Sequence, residues 1–421
     1  MTERSGKIGG GGKLQQMRNV LTGVDVGTSK VCALIAEAGP EGTTAVLGYG
    51  VVPCIGLRRG VVVNIEATVE ALRAAIAEAE KSAGARIGAA VVGIAGAHIR
   101  GLNSHGIVAV RGGEVGPRDV ERVIEAARAV AIPMDRQVLH ILPQQFAVDD
   151  QDGVSDPVGM AGVRLEARIH IVTAAQSYGQ NLSKCCERSG VNAAEFMFEP
   201  LASADAALFS EERELGVALI DIGGGTTDII VFYNGAVMHT AVLPVGGNHL
   251  TSDVAAGLRT PLTEAERLKV NYGVATNQVV GHDEMVQVPG VGGREPREIA
   301  RRLLGEIIEP RMEEIFAMAQ RELLRSGVAD SLGSGIVLAG GTSLLEGTQE
   351  LAERIFNLPV RRGLPINLKG MPEELMKPMY TTVAGLLLHA ANGRGHANGL
   401  ARHGRWGRLR SRVSDWVRDF F

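Results

Sequence analysis

Residues 219–230 read LIDIGGGTTDII. An apolar run ends in Asp221, three glycines and two threonines follow, and a second apolar run begins at once. Short apolar runs bounded by Gly and Thr predict two buried strands joined by a tight turn. The glycines let the backbone approach an anion and aim N–H groups at it. The hydroxyls add donors. A carboxylate beside a phosphate repels it unless Mg²⁺ with its waters lies between them. Asp221 is therefore a candidate for water-mediated metal contact, and Gly223, Gly224, Gly225, Thr226 and Thr227 for the phosphate itself.

The pattern recurs near the start. Residues 23–29 read GVDVGTS, again a strand ending in Asp, then Gly and hydroxyls, then a second strand that opens with Lys30. Asp25, Gly27, Thr28, Ser29 and Lys30 form the matching set, with Asp25 as the second water-mediated Mg²⁺ candidate. Either turn alone is ordinary hairpin chemistry. Two of them suit a clamp around a β/γ-phosphate held between two domains. A third element, an apolar strand at 336–339 followed by Gly340, Gly341 and Thr342, reads as a Gly turn at a helix N-terminus, suited to a nucleotide backbone.

The rest of the composition sets limits. A chain of 421 residues is too long for one core. Net charge −4 argues against nucleic-acid binding. Cys32, Cys54, Cys185 and Cys186 show no metal spacing and suit a reduced compartment. There is no run of eighteen apolar residues for a membrane span. Residues 1–18 are polar and Gly-rich, without a signal-peptide core, and read as a disordered arm.

Between these motifs, strands are expected at 45–53 and 89–93 and a helix at 65–82. Residues 101–173 change texture: GIVAV as a short strand, a helix opening at Pro117, a Pro-interrupted strand over VLHILPQQFAVDD, and the alternating RLEARIHIVTA. They read as a small α+β insert, an independent protrusion. Asn-Gly at 234–235 predicts a hairpin turn. Residues 261–330 read as mainly helical, interrupted near Val286 to Gly293.

These segments carry a family resemblance. Asp25–Ser29, Asp221–Thr227 and Ile336–Ser343 resemble the two phosphate motifs and the adenosine motif of the actin/Hsp70/sugar-kinase superfamily. EPLASA at 199–204 and residues 381–388 sit where that superfamily has its two connecting helices. Glu266 and Lys269 resemble residues that meet ribose and base, and Gly246-Gly247 the turn feeding the second subdomain. VLHILPQQFAVDD, DPVGMAGVRLEARIHIVTA, ELGVALIDIGGGTTDI, VGGNHLTSDVAAGLRTP and AERLKVNYG resemble the FtsA family of bacterial cell-division proteins. The likeness covers residues 19–391 and the tail.

That resemblance implies an α/β, actin-like (RNase H-like) two-domain ATPase fold. Subdomain 1A would span 19–100, 174–212 and 375–391; 1C, the insert 101–173; 2A, 213–247 and 308–374; 2B, 248–307. It implies ATP and Mg²⁺ as cofactors and head-to-tail filaments. It also implies anchoring of the tubulin-like GTPase FtsZ at the cytoplasmic face of the inner membrane, at the division site, and recruitment of later divisome proteins through 101–173. In MreB and Hsp70 a glutamate like Glu199 orients the attacking water, which makes Glu199 the catalytic candidate of at most a weak ATPase, not a metabolic enzyme. The FtsZ C-terminal peptide would meet 2B, with Arg301 and Arg302 as carboxylate partners. A pilus-assembly adaptor or a sugar-kinase-like phosphotransferase on the same fold are the alternatives.

The chain's two tryptophans both lie in its last sixteen residues, GRWGRLRSRVSDWVRDFF being the final stretch. On a helix, Trp406, Leu409, Val413, Trp416, Val417, Phe420 and Phe421 fall within an arc of roughly 140°. Arg408 and Arg412 lie outside the arc, and Arg410 must snorkel. This pattern predicts an interfacial helix at 405–421 on anionic lipid, behind a flexible linker at 392–404.

Overall fold

The computed structural model describes residues 20–39, 44–281, 284–290, 295–366, 368 and 370–397. The expected arm at 1–18, the linker from 398 and the amphipathic segment at 405–421 lie outside the described residues.

Strands β1 (Val20–Val26) and β2 (Lys30–Ala38) form the first hairpin, and β3 (Thr44–Pro53) extends it. A small hairpin, β4 (Leu57–Arg58) and β5 (Val61–Val62), leads into α1 (Ile65–Ala83). Asn64 caps that helix by accepting from the Ala67 N–H. Val69, Leu72, Ala75, Ile76 and Ala79 form its buried stripe. Strand β6 (Ala89–Ile94) then pairs parallel to β1.

The insert follows as β7 (Arg100–Ala109), α2 (Pro117–Arg128), β8 (Arg136–Val148), β9 (Gln151–Val154) and β10 (Arg164–Ala175). Its sheet has the order β7-β10-β8-β9, and α2 packs on it over Val123, Ile124, Phe146, Leu165 and Ile169. The expected short strand GIVAV is the end of the ten-residue β7. Pro143 enters β8 where the register against β10 slips, between Arg168 and Ile169. Such an irregularity lets a residue without an N–H sit inside a sheet.

The chain returns through α3 (Gln176–Ser189) and β11 (Asn192–Phe198), closing a sheet of order β11-β6-β1-β2-β3. Helices α4 (Glu199–Ala207) and α5 (Ser210–Leu215) lead to the second lobe. There β12 (Val217–Ile222), β13 (Thr227–Tyr233) and β14 (Ala236–Leu243) form a meander. Its second turn is the expected Asn234-Gly235, both at positive φ.

Next come α6 (Gly247–Leu258), α7 (Leu262–Tyr272), the hairpin β15 (Met285–Val288) and β16 (Arg297–Ala300), and α8 (Arg301–Arg325). Strand β17 (Ile336–Ala339), α9 (Thr348–Phe356) and β18 (Val360–Arg362) complete a sheet of order β14-β13-β12-β17-β18. The two five-stranded sheets thus share one topology: an antiparallel meander whose first strand pairs parallel to a fourth, and that to a fifth. The paired motifs of the sequence are the first turns of two copies of one unit.

Helix α10 (Thr381–Ala397) packs against α4 and β1. A Cβ on Gly385 would lie 1.7 Å from the Ala202 carbonyl oxygen, so a glycine is required at this crossing. These are the two connecting helices read from the sequence.

Three expectations need correction. The turn at Gly340 does not open a long helix: a 3₁₀ turn, Gly341–Leu344, intervenes, and α9 starts only at Thr348. Helix α10 continues to Ala397, so the first residues of the expected linker at 392–404 are helical. The insert is not an independent protrusion. Gln144 Nε2 donates to the Val237 carbonyl at 2.8 Å and Asn103 Nδ2 to that of Met238 at 3.2 Å. Buried His170 bonds Thr240 Oγ1 at 2.8 Å and Asn103 Oδ1 at 2.6 Å. Val237, Met238 and Thr240 all belong to β14, the edge of the second sheet. A sheet edge carries unpaired groups that need cover, and the insert covers this one.

Candidate functional site

The two glycine turns meet. Gly27 N–H donates to the Lys30 carbonyl and Gly223 N–H to that of Thr226, each at 2.9 Å, so both hairpins close in the same way. A Cβ on Gly224 would fall 2.0 Å from Ser29 Oγ. Thr28 is held in turn by the Gly60 N–H, which donates to its Oγ1 at 3.0 Å. Beside the turns lies a cavity of about 490 Å³, within the range of small-molecule sites.

Its walls collect most of the residues chosen from sequence. Asp25, Gly27, Thr28, Ser29 and Lys30 come from the first turn, and Asp221, Gly223, Gly224, Gly225 and Thr226 from the second. Glu199 enters from the start of α4, Glu266 and Lys269 from α7, and Gly340, Gly341 and Thr342 from the turn after β17. Three others serve behind the wall. Thr227 Oγ1 donates to the Val245 carbonyl, so its hydroxyl is spent on the second lobe's core. Gly246 packs on the second turn's carbonyls, and the Gly247 N–H donates to the Gly223 carbonyl at 2.9 Å.

Gly340 is a glycine whose backbone demands it. Its φ is +80°, and a Cβ would lie 2.4 Å from the Ile222 carbonyl oxygen and 2.5 Å from Asp221 Oδ1. The backbone at 340 therefore lies flush with the second turn.

The electrostatics point one way. Asp25, Glu199, Asp221 and Asp228 share the floor of the cavity with Lys30. Lys30 Nζ is 3.4 Å from Asp25 Oδ2, with its side chain 19% exposed. Burial opposes its charge, but Asp25 and Asp221 hold its pKa above the ordinary value. Burial pushes Asp221 up to about 6, despite the Ser203 hydroxyl bond and with Asp25 adding to the rise. Burial and Asp221 push Asp228 up to about 8. Glu199 lies well above its usual range through burial and the three aspartates. These upward shifts mark a crowd of acidic groups around one ammonium, a site that favours added positive charge.

Asp228 escaped the sequence reading, where it looks like an ordinary polar residue at the start of a strand. Its Oδ2 accepts from Thr226 Oγ1 at 2.9 Å, and its Oδ1 is buried without a protein partner. Asn248, Thr382 and Arg301 also line the cavity unforeseen. Arg301 and Arg302, the pair expected to meet a peptide, differ in their surroundings. The Arg301 guanidinium donates to the Tyr272 carbonyl, Glu284 and Glu346, and is 15% exposed, whereas Arg302 is exposed at the first turn of α8.

This donor set fits a nucleotide with Mg²⁺. Backbone and hydroxyl donors on two turns match phosphate oxygens. An orphaned buried carboxylate oxygen and the carboxylate excess match a hydrated cation. No three metal-ligating side chains converge among the described residues. Asp25 and Asp221 are the residues that would hold a hydrated Mg²⁺.

Comparisons with known proteins agree with this geometry. Residues 218–385 match the family Cell division protein FtsA, and residues 96–173 match the SHS2 domain inserted in FTSA. The chain is 51% identical to Cell division protein FtsA of Pseudomonas aeruginosa over 374 residues, 89% of this chain and 90% of that protein. It is 44% identical to that of Neisseria meningitidis, covering 97% of this chain and all of that one. Among solved structures, the PilM-PilN type IV pilus biogenesis complex superposes with TM-score 0.66 at 17% identity, over 88% of this chain and 98% of that one. MreB5 of Spiroplasma citri bound to ADP superposes with TM-score 0.54 at 15% identity, over 91% and 99%. At such identities these two show the fold, which is actin-like.

Proposed function

The chain belongs to the FtsA family of cell-division proteins, and from that premise we propose that it is an ATP-dependent membrane adaptor of the division ring. The observation that carries the reading is the meeting of two glycine turns, one from each lobe, over a carboxylate floor that one lysine cannot neutralise. Asp25 and Asp221 would hold a hydrated Mg²⁺, which would supply the missing positive charge beside the phosphates. Lys30, Thr28, Ser29 and Thr226 would hold the phosphates. Glu199 would orient a water in a slow hydrolysis.

The same reading assigns the outer surfaces. The segment 405–421 would bind anionic lipid at the cytoplasmic face of the inner membrane through Trp406, Trp416 and their apolar neighbours. Subdomain 2B, 248–307, would take the C-terminal peptide of FtsZ, with Arg302 as its exposed cation. Copies of the chain would polymerise head to tail, and the insert would recruit later division proteins. MreB5, which shares the fold, has been seen with ADP and with AMPPNP, which supports a nucleotide in this cleft.

The test is flotation of FtsZ with anionic vesicles, with and without this chain and Mg-ATP. FtsZ should rise with the vesicles only when the chain is present, and more with Mg-ATP. FtsZ that stays in the dense fraction throughout would reject the adaptor role.

A further inference from the structure

Lys30 brings the positive charge of the first glycine turn into the cavity, and it does so on a flexible four-carbon stem. Its Nζ reaches Asp25 Oδ2 at 3.4 Å, longer than an ordinary N–H···O bond and too long to fix the ammonium. A second group lies against it. The ammonium sits over the ring of Tyr380, 5.4 Å from the centroid. At that distance the electron-rich face of the ring attracts the charge. A ring face holds a cation without occupying its N–H groups and without cancelling its charge. A second carboxylate in the same place would do both. The ammonium is therefore steadied while its donors stay free for phosphate oxygens.

Tyr380 is itself tied to other parts of the site. It ends a 3₁₀ turn, Pro378–Tyr380, directly before α10. The Gly340 N–H donates to the Pro378 carbonyl at 3.2 Å, and the Tyr380 N–H to that of Lys377 at 3.0 Å. Met379 and Thr382, on either side of the tyrosine, line the cavity. Thr382 Oγ1 also approaches Asp221 Oδ2. Residues 378–382 thus join the glycine turn after β17, the second phosphate turn and Lys30.

We propose that Tyr380 is a positioning residue for the phosphates: its ring face keeps the Lys30 ammonium in place for the β/γ-phosphate of a bound nucleotide. This deepens the nucleotide reading above and rests on it.

Apolar packing is the competing explanation, because Tyr380 also packs against the cluster that contains Leu21, Leu34 and Leu387. The experiment therefore needs a readout that packing alone would not move, and a cycle with Lys30 supplies it. The full chain, Tyr380→Phe, Tyr380→Leu, Lys30→Gln and the Lys30→Gln/Tyr380→Leu double variant are titrated with Mg-ATP by calorimetry, with thermal melting as the folding control. Tyr380→Phe keeps the ring face and should bind within twofold of wild type. Tyr380→Leu should bind about fivefold more weakly, and Lys30→Gln about tenfold. In the Lys30→Gln background, Tyr380→Leu should change affinity by less than twofold. Tyr380→Leu that binds as wild type overturns the proposal. So does a fivefold loss that persists without Lys30, which is the signature of packing, and so does Tyr380→Phe as weak as Tyr380→Leu. Lys30→Gln with wild-type affinity overturns it as well, since the ammonium then has no part in binding. Should Tyr380→Leu fail to fold, Tyr380→Met takes its place in the cycle. Wild-type protein that binds no Mg-ATP would instead remove the nucleotide reading and this inference with it.

Discussion

Ser203 Oγ donates to Asp221 Oδ2 across 2.9 Å, from the connecting helix α4 to the end of the second lobe's first strand. Thr382, on α10, approaches the same oxygen at 3.5 Å and shares a 2.9 Å hydroxyl contact with Ser203. Both connecting helices therefore reach one carboxylate of the phosphate turn, and the hinge and the candidate metal site are a single hydrogen-bonded unit. Ser203→Ala should leave the fold intact and weaken Mg-ATP binding about tenfold, the value of one hydrogen bond to a charged group. Titration calorimetry in excess Mg²⁺ checks this, and affinity within twofold of wild type would detach the hinge from the site.

The docked insert changes what its removal should do. Deleting 101–173 would uncover β14 and leave the Thr240 hydroxyl and the Val237 and Met238 carbonyls without their present partners. A milder probe is His170→Ala, which strands Asn103 and Thr240. It should cost about 1–3 kcal/mol of stability, seen as a lower denaturation midpoint. A midpoint equal to wild type would mean that the contact adds no net stability.

Two buried histidines predict an acid-sensitive fold. Burial, with His239 nearby, lowers His170 to about 3. Burial, then Arg136 and Arg100, lowers His98 to about 4. Each is neutral when folded and takes a proton at ordinary pH when unfolded. Their contribution is therefore complete above about pH 6.5 and is lost as pH falls toward 3–4, at up to about 1.4 kcal/mol per pH unit each. Asp221, Asp228 and Glu199 are raised and titrate in the opposite sense, so the comparison must be between proteins. His170→Gln should lose less stability than wild type between pH 6.5 and 5 in chemical denaturation. Parallel curves would contradict the assignment.

The C-terminal segment is tested by cutting in the right place. Ala390 and Ala391 pack against the apolar cluster that contains Leu21, Leu34 and Leu387, and α10 runs on to Ala397. A truncation at Ala391 would remove the last turns of a packed helix. One after Ala397 should keep the fold and nucleotide binding yet fail to pellet with anionic vesicles. Trp416→Glu should do the same at any salt, because it places a charge in the apolar arc. Arg408→Ala should weaken binding modestly, and only at low salt. Vesicle pelleting of the truncated chain at wild-type levels would take the anchor away from these residues.

What could be read in advance follows from what is local. The hairpins at Asp25 and Asp221, the Asn234-Gly235 turn and α1 each announce themselves within a few neighbouring residues. Asp228 lies inside the first motif and still gives no local signal, because a polar residue at the start of a strand does not show in sequence that it is buried. The ion pairs of Arg301 give no local signal either: its carboxylate partners stand 17 and 45 residues away. The segment after Ala391 looked like a linker because Gly and Asn are poor helix formers, yet the helix continues through them. The docking of the insert on β14 brings together residues 70 to 135 positions apart, a separation that no sequence window spans.

The most direct measurement of the nucleotide site is calorimetric titration of Mg-ATP into the full chain beside Gly340→Val and Asp221→Ala. Wild type should bind one nucleotide per chain. Gly340→Val should bind at least tenfold more weakly, because a side chain there meets the Ile222 carbonyl and Asp221. Asp221→Ala should lose the dependence on Mg²⁺ more than the affinity for ATP alone. Equal affinities for all three proteins, or no binding by the wild type, would contradict a nucleotide site between the lobes.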